Sequence, residues 1–351
     1  MYVANNGSDQ QVGGSISGFA MNSASGALTP LPGSPFAAGN GPTAIGSDAA
    51  GHFVFVAEDQ SVPGARGSNC TDLQSMLLVK VVNPGTGVLS QTESRTLHGA
   101  CARAVAVDPS GSQVYVAMAR LSASQGEIQG FAISPAGTLT ELPGSPFMVD
   151  GFPTGLAMHP SGRFLYAASD SGLLVIDRDT GTGALTERGA FNTPKVRLAL
   201  NPAGTFLLAS EMNSSEVSQF HVDPSTGDVA AIDFRPPASG PQGVAADPLG
   251  TYFAVTETLD PTTLAGGVST FLLNSGTHEV DKTSGSPFAA GHGTLDVAFD
   301  PGGSFLYAVN RQDGNVSGFA VDRASGALTA VSGSPFAAGA FPDSLVVVKP
   351  H

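Results

Sequence analysis

Tryptophan is absent from the 351 residues, and only two cysteines and seven histidines occur. The missing tryptophan disfavours a lectin that stacks sugars on indole rings. Basic residues are few: 15 Lys and Arg stand against 29 Asp and Glu, a formal charge of −14. Nucleic acid and anionic membrane both need a basic footprint, so neither is an expected partner. No apolar run approaches the ~18 residues of a spanning helix. No signal peptide is visible, and because Met1 starts directly in a strand-like stretch, removal of a leader is one reading. H-E-x-x-H, paired C-x-x-C, Walker and G-x-S-x-G patterns are missing, as is any W-D signature. Glycines that follow strands open no helix, so no dinucleotide site is expected, and with those motifs missing no other cofactor or metal is expected either.

What is present is a repeat. Residues 17–39, SGFAMNSASGALTPLPGSPFAAG, return at 317–339 with 17 of 23 positions identical. Between these copies runs a fixed grammar of apolar strand, D-P-x-G-type turn and second apolar strand. The turns are Asp48–Gly51, Asp108–Gly111, His159–Gly162, Asn201–Gly204, Asp247–Gly250 and Asp300–Gly303, spaced 42 to 60 residues apart. Proline fixes φ in such a turn and glycine absorbs a positive φ. The period suits four short strands, one propeller blade. The opening Tyr2-Val3-Ala4-Asn5 matches second strands such as Leu306–Asn310, and the closing Leu345–Val348 matches a first strand. The last strand therefore supplies the missing inner strand of the first blade. The expectation is an all-β, seven-bladed β-propeller over residues 1–351, one domain of four antiparallel strands per blade, since no single blade buries both its faces.

Propeller topology sorts the polar residues. First strands (A, innermost) begin, and second strands (B) end, on the face that carries the blade-to-blade loops. That face collects Thr43, Arg103, Thr154, Arg197, Gln242, Asp296 and Asp343 from A-strand starts. It collects Asn5, Glu58, Arg120, Asp170, Glu211, Glu257, Asn310 and Arg311 from B-strand ends, and His98 and His292 from loops. Arginine there fits a carboxylate or phosphate, and a partly desolvated Glu fits proton transfer. The competing reading is that Arg and Glu pair across blades to satisfy one another. His52 and His159 fall in turns on the opposite face and His221 in a third strand, which points to structural roles. G-S-P-F at Gly33–Phe36, Gly144–Phe147, Gly285–Phe288 and Gly333–Phe336 reads as a turn whose Phe packs between blades. Cys70 and Cys101 sit in loops of one face, so a disulfide and an oxidising compartment are one reading and two unpaired thiols the other.

The repeat units, notably Tyr2–Asn5, Asp108–Ala117 and Phe319–Leu328, resemble the seven-bladed propeller lactonase family. That group includes 6-phosphogluconolactonase-like proteins and 3-carboxy-cis,cis-muconate lactonising enzymes. The resemblance covers essentially the whole chain and specifies fold better than activity. It implies a site of His and Arg at A-strand starts and a Glu at a B-strand end. Counting blades in order puts that Glu on Glu211, with Arg197 where a histidine is expected and the earlier histidine near Thr154. A second register uses Gly240-Pro241-Gln242-Gly243, makes Glu257 the acid and puts the family arginine on Arg311. In both registers the histidines are replaced.

The expected function is a lactonase-like or lactonising enzyme acting on a small carboxylated or phosphorylated molecule in an axial pocket. Glu211, Glu257 and Arg197 are the catalytic candidates. Arg103, Arg311, Gln242, Asp296 and Thr154 are the substrate-binding candidates. Two alternatives stand beside it: a non-catalytic, extracytoplasmic binding propeller with a protein partner, and an intramolecular cyclase or isomerase. The expected location is periplasmic or secreted, with the cytoplasm as the alternative.

Overall fold

The computed structural model describes all residues except 8–12, 60–74, 99, 121–124, 192–193, 212–214, 233–235, 275–278 and 350–351, and the side chains of residues 100, 119 and 120. Every regular element described is a β-strand. The strands form seven antiparallel sheets. Their inner strands are, in ring order, Pro342–Val346, Pro42–Ser47, Ala100–Val107, Pro153–Met158, Lys195–Leu200, Val244–Ala246 and Thr294–Phe299, which we number blades 1 to 7. Each inner strand contacts the next and the seventh returns to the first, closing the ring. Blade 1 is completed from both chain ends: Tyr2 pairs with Val346, Val3 with Leu345 and Ala4 with Ser344.

Seven apolar clusters hold the ring, one between each pair of neighbouring blades. Alternation along each B strand sends successive side chains into the clusters on either side. In blade 7, for instance, Tyr307 and Val309 pack toward blade 1, while Leu306 and Ala308 pack toward blade 6. All five tyrosines sit on B strands and cross to a neighbouring blade. Tyr2, Tyr115, Tyr166 and Tyr307 donate to the carbonyls of Gly87, Gly183, Gly227 and Gly26, in the next blade's hairpin turn, and Tyr252 donates to Arg323. A buried phenol needs a partner, so each ring couples packing to register between blades.

One expectation changes in detail. Blades 1, 3, 6 and 7 have a fifth strand (Phe36–Ala37, Phe147–Asp150, Phe288–His292, Phe336–Ala337) that returns to pair with the start of the third strand. These are the four blades that carry G-S-P-F. The motif's Ser hydroxyl accepts the third-strand N–H of Gly18, Gly130, Thr270 or Gly318. That serine replaces a ladder partner and lets the chain pass the short fourth strand and re-enter the sheet. Gly18 is required by the same passage: a Cβ there would lie 2.7 Å from the Phe36 ring.

Candidate active site

A bulge opens the inner strand of most blades, between Pro42 and Ala44, Pro153 and Gly155, Lys195 and Leu198, and Thr294 and Asp296. A bulge turns two successive side chains to the same side. Side chains from these inner strands and from the B strands beside them link blade to blade around the axis. Thr43 Oγ1 donates to Ala102 O (2.7 Å), Thr154 Oγ1 to Val196 O (2.8 Å) and Ser210 Oγ to Gln242 O (2.7 Å). Thr256 Oγ1 donates to Leu295 O (3.1 Å). Thr154, a substrate-binding candidate, thus spends its hydroxyl on the next blade.

Two charges influence one another within this belt. The Arg197 guanidinium, from blade 5, donates to the carbonyls of Thr154 and Val196. Asp296, from blade 7, accepts from Ser344 Oγ (2.8 Å) and from the amides of Leu345 (3.1 Å) and Val297 (3.0 Å). Burial pushes the Asp296 carboxyl above the usual range, and the Arg197 charge, the Ser344 hydroxyl and the two amides pull the other way. Both residues keep part of their surface open. Blade 6, between them, contributes Gly243, where a Cβ would fall 2.8 Å from the Asp296 Cα. Only glycine lets the inner strands of blades 6 and 7 come this close, bringing Asp296 toward Arg197.

A second arginine lies between blades 7 and 1. Arg311 Nε meets Asp343 Oδ1 at 2.7 Å, and its guanidinium stacks 5.1 Å from the Phe341 ring centroid. Phe341 has φ 51°, a left-handed conformation that a phenylalanine adopts only when its surroundings hold it. Fixing Nε and one face of the guanidinium leaves the outer Nη edge as the part that can receive an anion. Arg103, within the inner strand of blade 3, and Gln242, two residues ahead of that of blade 6, are partly buried.

The two glutamates expected to act on substrate are placed otherwise. Glu211 turns into blade 5, where Oε1 meets Lys195 Nζ at 2.6 Å and the Ser218 hydroxyl. Glu257 turns into blade 6, with Oε1 2.8 Å from Lys282 Nζ and Oε2 accepting from Ser239 N. Lys195 and Lys282 come from different strands, so the two sites look alike chemically without sharing a motif; sequence inspection missed both lysines for that reason. The side chain of Arg120 and all of Cys70 lie outside the described residues, so the Cys70–Cys101 pairing does too. The histidines stand as expected from their turns: His159 is buried, bonded to Ser161 and to Gly204 O, and His52 is exposed beside Asp48.

A cavity of ≈ 360 Å³ opens around the axis on the turn face, opposite Arg311, lined by Asp48, Asp108, Asp300 and Lys349 among others. Its carboxylates cap their own turns; Asp300 Oδ1, for one, accepts from Phe305 N at 2.6 Å. No group of three or more metal-ligating side chains occurs among the described residues. No described helix is long and apolar enough to cross a membrane.

Comparison with known proteins agrees with this architecture. Residues 127–246 match the family model described as lactonase, 7-bladed beta-propeller. This chain resembles the seven-bladed lactonase propellers. Among solved structures, a periplasmic gluconolactonase of Pseudomonas aeruginosa superposes with a TM-score of 0.78 at 15% identity, covering 100% of this chain and 99% of that one. Provisionally assigned 6-phosphogluconolactonases are similar. That of Bacteroides fragilis gives a TM-score of 0.79 at 17% identity (99% and 97% covered), and that of Bacteroides uniformis 0.78 at 18% (97% and 98%). No curated protein matches the sequence. At such identities the likeness of the lactonase-like propeller to these structures is one of fold.

Proposed function

We propose that this propeller hydrolyses a small anionic lactone on the face that carries the blade-to-blade loops. The carrying observation is Asp296 on the inner strand of blade 7, a carboxyl whose proton affinity burial raises and on which the charge of Arg197, from blade 5, acts. Asp296 in its carboxylate form removes a proton from water, whose oxygen attacks the lactone carbonyl carbon. The electron pair moves to the carbonyl oxygen, where Arg197 offsets the developing charge. Collapse breaks the ring C–O bond, and Asp296 returns its proton to the departing oxygen, giving a hydroxy acid. The raised affinity of Asp296 suits the return step. Arg311, oriented by Asp343 and Phe341, receives the substrate's carboxylate or phosphate, and Arg103 and Gln242 flank that end. The names of the similar structures favour a sugar lactone, phosphorylated or not. The lysine partners of Glu211 and Glu257 favour Asp296 over either glutamate as the proton carrier.

The test is a turnover screen over phosphorylated and unphosphorylated aldonolactones and carboxylated muconolactones. Wild type is run beside Asp296→Asn, Arg197→Ala, Glu211→Gln and Glu257→Gln, each corrected for folded fraction. Asp296→Asn is expected to lose about 10²- to 10⁴-fold in kcat. Loss in a glutamate variant alone would return the proton role to that glutamate. Tight binding of a lactone without turnover in the wild type would favour the binding propeller, and product formed without uptake of solvent oxygen would favour a cyclase.

A further inference from the structure

In blades 1, 6 and 7 a polar side chain near the end of the B strand lies beside the segment that enters the same blade's inner strand and has two tasks. One is to accept an N–H of that segment, and the other is to engage the third or fourth strand of its own blade. In blades 1 and 7 an asparagine does both. Asn5 Oδ1 accepts from Gly339 N (3.1 Å) while its amide donates to Ser17 Oγ (3.0 Å). Asn310 Oδ1 accepts from Gly291 N (3.1 Å) while its amide donates to Ser317 Oγ (2.8 Å). In blade 6 Glu257 accepts from Ser239 N with one oxygen and meets Lys282 with the other.

Blade 2 departs from this pattern. Glu58 is 1% exposed and accepts the Asn40 amide, but its Oε1 has no hydrogen-bond partner. The cation within range, Lys80, sends its ammonium to Ala37 O (2.8 Å) and Gln91 Oε1 (2.8 Å). A carboxylate in that position is a buried charge with one bare oxygen. A carboxylic acid has the shape of the amides used in blades 1 and 7 and leaves no charge behind.

We propose that Glu58 is held as the neutral acid in the folded protein, and that its ionisation is a pH-sensitive release of the 38–42 connection into blade 2. Independent support comes from proton affinity. Burial pushes the carboxyl up to about 8, against the opposing pull of the Asn40 amide and the Lys80 charge. Burial also lowers the affinity of Lys80, which limits what that cation can offset. The other carboxyl nearby is Asp59, the next residue along the chain, and residues 38–42 carry no ionisable side chain. Because the folded-state affinity lies above the ordinary carboxyl value, the unfolded chain releases this proton first as pH rises. Stability from this residue is therefore complete below about pH 4, falls as pH climbs toward 8, and is flat above that.

Thermal and urea unfolding of wild type and Glu58→Gln between pH 5 and 9 tests this. Across that window the wild-type folding constant should fall by up to about tenfold per pH unit relative to the variant. The variant should be the more stable protein at pH 9 and equal at the acid end. Parallel curves, or a variant weaker by the same factor at pH 5 and pH 9, would overturn the proposal. Should the variant fail to fold, the protonated-carboxyl infrared band of an Asp296→Asn protein gives a second readout. It should persist at pH 7 and fade through pH 8; its absence at pH 7 would overturn the proposal equally.

Discussion

The two faces of the ring solve the same problem in different ways. On the turn face, polar groups are consumed locally and between neighbours. Asp300 caps its own turn, and Arg178 binds Gly162 O, Gln113 Oε1, the Tyr115 hydroxyl and, at 3.4 Å, Asp108. Arg323 pairs with Asp247 at 2.6 Å. On the loop face, Arg311 holds Asp343 at 2.7 Å, and Arg197, bonded to the carbonyls of Thr154 and Val196, acts on the Asp296 carboxyl through its charge. One face is built as a clamp and the other retains polarity that a ligand can use. The lesson is that a repeat closes a surface wherever each copy carries the same residue, and leaves chemistry where the copies differ.

The largest expected effect tests the clamp. Arg178→Ala leaves Asp108 and Gln113 buried beside an empty space and should lower unfolding free energy by about 3 kcal/mol or more, read by urea denaturation. Catalysis per folded molecule should be unchanged; a stable variant with lost turnover would reverse the assignment of the two faces. Next in size is Arg197→Ala, for which a loss of about 10² in kcat/KM with a small change in stability is expected, the opposite signature. Arg311→Lys sharpens this further. It keeps the charge but loses the fork and the Phe341 stacking, so KM for an anionic lactone should rise roughly tenfold with kcat nearly kept. The smallest effect belongs to the tyrosine pins. Tyr307→Phe deletes one bond to Gly26 and should cost about 1 kcal/mol, detectable as a lowered urea midpoint with unchanged slope. Finally, thiol titration of the denatured, unreduced protein decides between a Cys70–Cys101 bridge and two free thiols.

Strand positions were readable because period-two alternation and D-P-x-G turns are local. The expected Leu306–Asn310 is found within Phe305–Asn310, and the closing strand found at Pro342–Val346 overlaps the expected Leu345–Val348. The fifth strands were not readable. Phe36–Ala37 is two residues long, and what makes it a strand is Ile16, twenty residues earlier in the chain. At the candidate site, residue types and the face they occupy followed from topology alone, whereas side-chain direction did not. Glu211 ends its B strand as expected, while the strand carrying Glu257 runs on to Asp260, and each glutamate turns to a lysine that no local pattern marks.

What the sequence by itself determined is the ring, its number of blades, its closure and the face on which polar residues gather. These depend on spacing, alternation and turn chemistry, which act over a few residues at a time. Only the tertiary structure decided which carboxyls are neutralised, which stay near an arginine and which keep a buried oxygen outside any hydrogen bond. Those outcomes rest on contacts between distant strands, Asp296 with Ser344, Lys282 with Glu257 and Glu58 with Asn40, and on how much water each pair retains. Proton affinity follows that local solvation, and solvation exists only once the blades have packed.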